Sequence, residues 1–314
     1  MLSWVFTRSA PALDVLSSQS GDQLRGDTEI VEETTALKSP CRTVTTGEVD
    51  HLHEFGWVQL KGFVDPDVVR KMLAIARGKM GDDADSNPLQ AGAAPETDGD
   101  GQPGLEYFNV EQSAGLSNPV MRPLIDEVGK SASVLQRRRL ADGSAVGTRY
   151  YTDFFAPKLP STKVARHGGN GATAFHQDFI TFSVDRSGGL TFWFPLQAYG
   201  PEAGTMSFVN ASHRAGVMGD YTTYGDGDAL DAFPELRDLE MSEQLTYELG
   251  DISVHTHFTI HGAGVNTMDR PRWAYLLVTQ PADVCWNGAP TPNFDSSRMA
   301  QWQPLDDERF PLIG

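Results

Sequence analysis

The apolar positions change period along the chain. Before about residue 140 they recur every three to four residues, as on a helix, and beyond Gly147 they gather into the short runs that strands make. Residues 53–60 end in apolar alternation and predict a short strand. Asp65-Pro66-Asp67 predicts a helix start, with Asp65 as cap and Pro66 in the first turn. Val68, Val69, Met72, Leu73, Ala76 and Met80 follow at helical spacing as far as Gly81. A second helix is predicted over 119–140, with Leu124, Ile125, Val128 and Leu135 facing the core. Aromatic and β-branched runs at 150–155, 174–184, 190–196, 205–209, 247–258 and 273–279 predict strands, because turn-forming Gly, Pro, Asn or Asp separates most of them. Helices first and strands afterwards predict a mainly β fold, a sandwich or barrel with flanking helices.

Residues 1–45 hold no period and are expected to form a flexible leader. Residues 46–314 are expected to form a single catalytic domain, with a helical layer at 46–146 on a β core at 147–285. Two polar segments, 81–104 and 213–245, interrupt the pattern and are candidate lids.

Composition narrows the partners. With 42 acidic and 25 basic residues the net charge is −17, which disfavours phosphate backbones and anionic lipid surfaces and leaves a small molecule as the expected partner. Sixteen Phe, eight Tyr and six Trp exclude a disordered acidic chain. Cys41 and Cys285 are far apart and no CxxC occurs, so neither a thiolate zinc site nor a disulfide framework is expected, which fits the cytoplasm. No apolar run reaches the length of a membrane span, and Arg8 interrupts the apolar start, so no signal peptide or anchor is expected. The sequence sets no oligomeric state.

The chemistry concentrates in His176-Gln177-Asp178. Residues i and i+2 of a strand share a face, so His176 and Asp178 can both look into a barrel while Gln177 turns away. A third ligand from a distant strand, His261, completes a 2-His-1-carboxylate face, the pattern of non-heme Fe(II) oxygenases. His255 and His257 are alternative third ligands, because His-x-His on one strand also builds cupin-type metal sites. Gly262 and Gly264 predict a sharp turn just after His261. Arg272, or Arg270, is placed to pair with a carboxylate. His51, His53, His167 and His213 are expected to be structural or exposed.

At these residues the chain resembles the phytanoyl-CoA dioxygenase family. The resemblance rests on Gly-Trp-Val-Gln-Leu-Lys-Gly-Phe at 56–63, His-Gln-Asp at 176–178, the segment 202–214, His-Gly-Ala-Gly-Val-Asn at 261–266 and Arg-Pro-Arg at 270–272. Two departures stand out: Asn210-Ala211-Ser212-His213 replaces the usual Pro-Gly-Ser-His, and Ala263 stands where a Ser or Thr is common. The resemblance implies a double-stranded β-helix (a cupin-like jelly roll), with Fe(II) on His176, Asp178 and His261. It implies 2-oxoglutarate paired with Arg272 beside Trp193 and Thr173. O2 would be consumed, with ascorbate as reductant in vitro. The implied reaction oxidises an unactivated C–H bond, releases succinate and CO2, and most often hydroxylates. Phe154 and Phe179 are candidates to line the substrate pocket, for a hydrophobic small molecule or specialised metabolite. No basic cluster is expected to receive the phosphates of coenzyme A. Two rivals remain: a cupin-like metalloenzyme that uses His255 and His257 without 2-oxoglutarate, and a jelly-roll binding protein without catalysis.

Overall fold

All six residues of strand β4 (Leu190–Pro195) are buried, so both faces of the sheet that contains it are covered. The computed structural model describes residues 38–80, 114–162, 171–218, 227–291 and 294–314. The other elements are α1 (Thr46–Phe55), β1 (Trp57–Leu60), α2 (Pro66–Met80), α3 (Met121–Gln136), β2 (Thr148–Phe155), β3 (Thr173–His176), β5 (Met206–Phe208), α4 (Ala229–Ala232), β6 (Ile252–Thr256), β7 (His261–Ala263), β8 (Ala274–Pro281) and β9 (Leu312–Ile313). Six strands form one sheet in the order β1-β6-β4-β8-β2-β9, and three form a second in the order β3-β7-β5. Every pairing is antiparallel.

Alternation assigns the two faces of the larger sheet. Phe192, Phe194, Val254, Ile252, Leu277, Tyr275 and Phe155 look outward and share one core with Leu52, Met72, Leu124, Ile125, Val128 and Leu135 of the helical layer. The last four were predicted core positions and are fully buried, each contributing about 1.5–3 kcal/mol. Trp193, Leu276 and Ala274 look inward, against Met206, Phe208 and Ala263 of the smaller sheet. This is the expected jelly roll with flanking helices.

Local chemistry moves several boundaries. The predicted strand at 53–60 begins only at Trp57, because Thr45 and Glu48 form a capping box that starts α1 at Thr46. Gly56 ends α1 at φ 86°, and a Cβ there would strike His213 and Thr259. Helix α3 stops at Gln136 instead of 140, where Arg137 turns left-handed. The predicted strand 174–184 ends at His176 and passes into a 3-10 turn, Asp178–Thr181. No turn follows His261. It opens β7, which pairs on both edges, and Gly262 is accommodated there because Phe175 and the Thr173 carbonyl press on it. The chain from Ser39 to Gly314 packs as one unit, and residues 39–45, assigned to the leader, are part of it: Cys41 is buried and bridges Val64. Residues 1–37, the candidate lid 81–104 and His167 lie outside the described residues. The other candidate lid is docked over its described later part. Asp228 accepts from Leu230 N and Phe175 N, and Leu230 and Leu236 are buried against Val209 and Ile260.

One buried carboxylate ties the helical layer to the large sheet. Asp153 of β2 is 1% exposed and accepts from the hydroxyls of Tyr150 and Tyr275, the latter at 2.8 Å, and from Gly115 N at 3.0 Å. Burial, then the Asp153 charge, pushes the Tyr275 hydroxyl well above its ordinary pKa, so it stays a donor. Asp153→Ala would strand three buried donors at about 1–3 kcal/mol each. We therefore expect Asp153→Ala to lower unfolding stability by at least about 3 kcal/mol and Tyr275→Phe by about 1 kcal/mol, measured by urea denaturation.

Candidate metal centre

His176 and His261 face each other across β3 and β7, in direct register. Their rings lie 4.3 Å apart between centroids. Gln177 keeps extended backbone (φ −102°, ψ 135°), which preserves the alternation although the strand has ended, and Asp178 swings in beside them. Its Oδ1 is 3.5 Å from His176 Nε2 and 3.6 Å from His261 Nε2. The three ligand atoms lie within 4.8 Å of one another, close enough to hold one metal ion.

The imidazoles are turned correctly for that task. His176 Nδ1 donates to Ala174 O at 2.8 Å and His261 Nδ1 to Thr259 O at 3.0 Å. A carbonyl only accepts, so each proton sits on Nδ1 and each Nε2 lone pair faces Asp178. Burial, reinforced by His255 and His176, pushes His261 well below its ordinary pKa and keeps it neutral. For His176 burial also lowers the pKa, but in the protonated ring Nε2 can donate to Asp178, and that bond and the Asp178 charge outweigh burial, so the net direction is upward and a metal would have to displace that proton. Burial pushes the Asp178 carboxyl up, yet the surrounding imidazoles outweigh it and hold it well below the carboxylate range. One ionised carboxylate and imidazole nitrogens form a donor set suited to a divalent transition metal.

Asp178 Oδ2 points the other way. It accepts from Thr191 Oγ1 at 2.6 Å and from His255 Nε2 at 3.0 Å. His255, one of the alternative ligands, is thereby engaged through Nε2, and among the described residues the metal-sized group comprises His176, Asp178 and His261 without it. His257 lies past the end of β6, in a turn beside Phe182, and burial pushes it down to about 4. It does not share a face with His255, and neither is a surface residue. His53 Nε2 donates to Leu135 O at 2.9 Å, and His51 packs on Phe55 and Trp57.

The other end of the same cavity, about 210 Å3 in volume, is cationic. Arg272 is buried, its Nη1 donates to Gly204 O at 2.6 Å, its guanidinium lies 5.1 Å from the Trp193 ring centroid, and its Nε has no partner. Burial lowers it to about 10. Asn266 sets its position: its Nδ2 donates to Lys158 O and Arg270 O, which fixes the turn before Arg272. Arg270 points to solvent, with only Asp269 nearby at 3.9 Å. Thr173 and Trp193 line the cavity, as does Phe154; Phe179 does not, and packs instead on Phe258 with centroids 4.6 Å apart.

Two features escaped the sequence reading. Lys158 is 2% exposed, donates to Thr173 Oγ1 at 3.1 Å and Gly264 O at 2.8 Å, and is lowered to about 7 by burial and then by Arg272. The available signal was a lone charge in the apolar run Phe154-Phe155-Ala156-Pro157-Lys158-Leu159-Pro160. The basic run Arg137-Arg138-Arg139 was also passed over. It lines a separate groove against α1, and it is engaged by Asp50, Asp283 and the Gly143 carbonyl.

Gln177, between the ligands, is fully buried on the far side. Its amide donates to Gly216 O and Phe258 O at 2.7 and 2.8 Å and accepts from Met218 N at 3.1 Å.

Solved structures share this architecture. The alpha-ketoglutarate-dependent epimerase SnoN from nogalamycin biosynthesis aligns at 22% identity over 85% of this chain and 97% of its own, with a TM-score of 0.64. The carbocyclase SnoK from the same biosynthesis aligns at 21% over 86% and 97%, with a TM-score of 0.62. EctD from S. alaskensis with bound Fe aligns at 17% over 86% and 92%, with a TM-score of 0.59. At such identities the likeness is one of fold. No curated protein sequence matches the chain. The family profile of phytanoyl-CoA dioxygenase (PhyH) matches residues 52–274, which include all three metal-facing side chains and Arg272. That span covers most of the chain, and the protein belongs to the phytanoyl-CoA dioxygenase family of Fe(II)- and 2-oxoglutarate-dependent enzymes.

Proposed function

We propose that this enzyme hydroxylates an unactivated C–H bond of an apolar small molecule, with iron held by His176, Asp178 and His261 and 2-oxoglutarate held at its far carboxylate by Arg272. The observation that carries the reading is the unpaired cation: no carboxylate of the described residues is bonded to Arg272, which lines the cavity, or to Lys158, which lies behind Thr173 of the cavity wall, although both are buried. A buried cation without an anion is costly, and a dicarboxylic acid with one end on the metal would supply that anion. With Fe(II), 2-oxoglutarate and O2 bound, the site supplies oxidising power for the C–H bond and releases succinate and CO2. The chain's own part is to hold, orient and shield. Arg272 and Lys158 fix the cosubstrate's distal end, and Thr173 takes over the hydrogen bonding that Ala263 cannot offer. Phe154, Trp193, Met206 and Leu276 wall the cavity and keep water from it. These walls support an apolar substrate, and the naming of SnoN and SnoK for nogalamycin biosynthesis is consistent with a specialised metabolite. A cupin-like site on His255 and His257 has no support in the geometry, since neither joins the group of donors close enough to share a metal and His257 lies beyond the end of β6.

Expected outcomes are specific. His176→Ala, Asp178→Ala and His261→Ala each abolish high-affinity Mn(II) binding in calorimetry of the purified protein, whereas His257→Ala retains it. Anaerobic Fe(II) with 2-oxoglutarate gives a visible chelate band in the wild type, and aerobic turnover gives succinate. Arg272→Ala weakens 2-oxoglutarate binding by about 3–5 kcal/mol, and Arg270→Ala leaves it unchanged. Loss in Arg270→Ala alone would reverse that assignment.

Lys158 adds a pH dependence. Its folded pKa, about 7, lies below the ordinary lysine value, so above pH 7 the unfolded chain binds the extra proton and the folded chain does not. Ligand-free stability therefore rises with pH between about 7 and 10. An anion favours the charged amine, so 2-oxoglutarate binding should take up a proton at pH 8–9 and weaken up to about tenfold per pH unit above 7. Calorimetry in two buffers of different ionisation enthalpy reads the uptake. Its persistence in Lys158→Met would show that another group titrates.

A further inference from the structure

Thr191 and His255 are direct cross-strand partners on β4 and β6 of the large sheet. Side chains opposed in this way stand about 4.5–5.5 Å apart at Cβ and lean over the same face. Both end on one atom, Asp178 Oδ2, at 2.6 and 3.0 Å, and both residues are almost fully buried, at 2% and 1% exposure. His176 and His261 are themselves a cross-strand pair, on the smaller sheet, and both face Oδ1. The carboxylate is thus divided between the sheets: one oxygen for the metal donors, one for a hydroxyl and an N–H.

We infer that the Thr191–His255 pair holds Asp178 to a metal through one oxygen only, and so keeps a coordination position free for O2. The inference rests on the metal assignment proposed above. A carboxylate oxygen has two lone-pair directions in the carboxylate plane, and two donors fill those of Oδ2. To chelate through both oxygens, Asp178 would need an Oδ2 lone pair that one of these donors already occupies, and at least one buried donor would be left unpaired. The count of positions gives this weight. Three protein donor atoms on an octahedral ion leave three positions, two for the 2-oxoglutarate chelate and one for O2. A chelating Asp178 would leave two, and the cosubstrate would fill both.

His255 acts here as a positioning residue, and its chemistry fits the part. To donate from Nε2 it must keep its proton there, which leaves its buried Nδ1 without a partner. A tautomer that relieved Nδ1 would present a lone pair to Oδ2 and repel it. The ring is confined against His261 and Phe208, with centroids 4.0 and 5.5 Å away, so it cannot swing out to become a ligand.

Crystal structures of the Mn(II)-loaded protein, which is stable in air, test this directly. In the wild type Asp178 should touch Mn(II) through Oδ1 alone. In Thr191→Val with His255→Leu both oxygens should be on the metal. Electron paramagnetic resonance of Mn(II) in Thr191→Val alone, a near-isosteric change, should report the altered shell in a variant that folds. Thr191→Ser should restore the wild-type spectrum. With Fe(II), the Thr191→Val variant should keep its 2-oxoglutarate affinity and lose about 10–100-fold in O2 consumption, the size expected when an outer partner of a metal ligand is removed. One-oxygen contact persisting in the double variant, or two-oxygen contact in the wild type, overturns the inference while leaving the metal assignment intact. Mn(II) bound at other residues, or not at all, overturns the metal assignment itself and this inference with it.

Discussion

The carboxylate of Asp178 takes its neighbours from both sheets, His176 and His261 on one and Thr191 and His255 on the other. Everything around it follows from the cost of burying a charge. A carboxylate taken out of water needs its oxygens satisfied: one cross-strand pair, Thr191 and His255, donates to Oδ2, and the other, His176 and His261, faces Oδ1 across the place a metal cation would fill. The sheets must therefore pack in a fixed relative register, or Oδ1 and Oδ2 lose their separate partners. Trp193, Met206, Phe208 and Ala263 set that packing in the layer between them. Apolar packing and polar chemistry are here one constraint, since the packing layer begins within a residue or two of the donors.

The cavity has opposite electrical demands at its two ends. Near Asp178 it offers negative charge and lone pairs; near Arg272 it offers a buried guanidinium whose Nε has no partner. A molecule that spans it must carry an anion at the far end and metal-chelating oxygens at the near end, or bring a cation with it. Phe154, Leu276 and Met206 supply apolar wall to the same cavity.

Much of this was legible in the sequence, and the reasons are local. The i, i+2 rule put His176 and Asp178 on one face even though the strand ended between them, because Gln177 stayed extended. Helix α3 was legible from its apolar stripe, and its early stop was not, because nothing in Gln136-Arg137-Arg138 announces a left-handed turn. Helix α1 was hidden because its polar residues carry little periodicity and its start depends on a Thr45–Glu48 exchange of hydrogen bonds. Phe179 was misplaced because its orientation follows from a 3-10 turn instead of strand alternation. Lys158 and the joint role of Thr191 and His255 depend on strand register, which pairs residues 64 positions apart, and no local pattern encodes that.

Gln177 deserves a mechanical description. It sits between two donor residues, and its amide is fastened to Gly216, Met218 and the Phe258 carbonyl. A side chain so fastened works as a linkage pin: together with the Phe175 N–Asp228 bond it ties the residues that carry the donors to segments outside the sheets, so the aim of His176 and Asp178 is indexed to the surroundings of the sheets as well as to the sheets themselves.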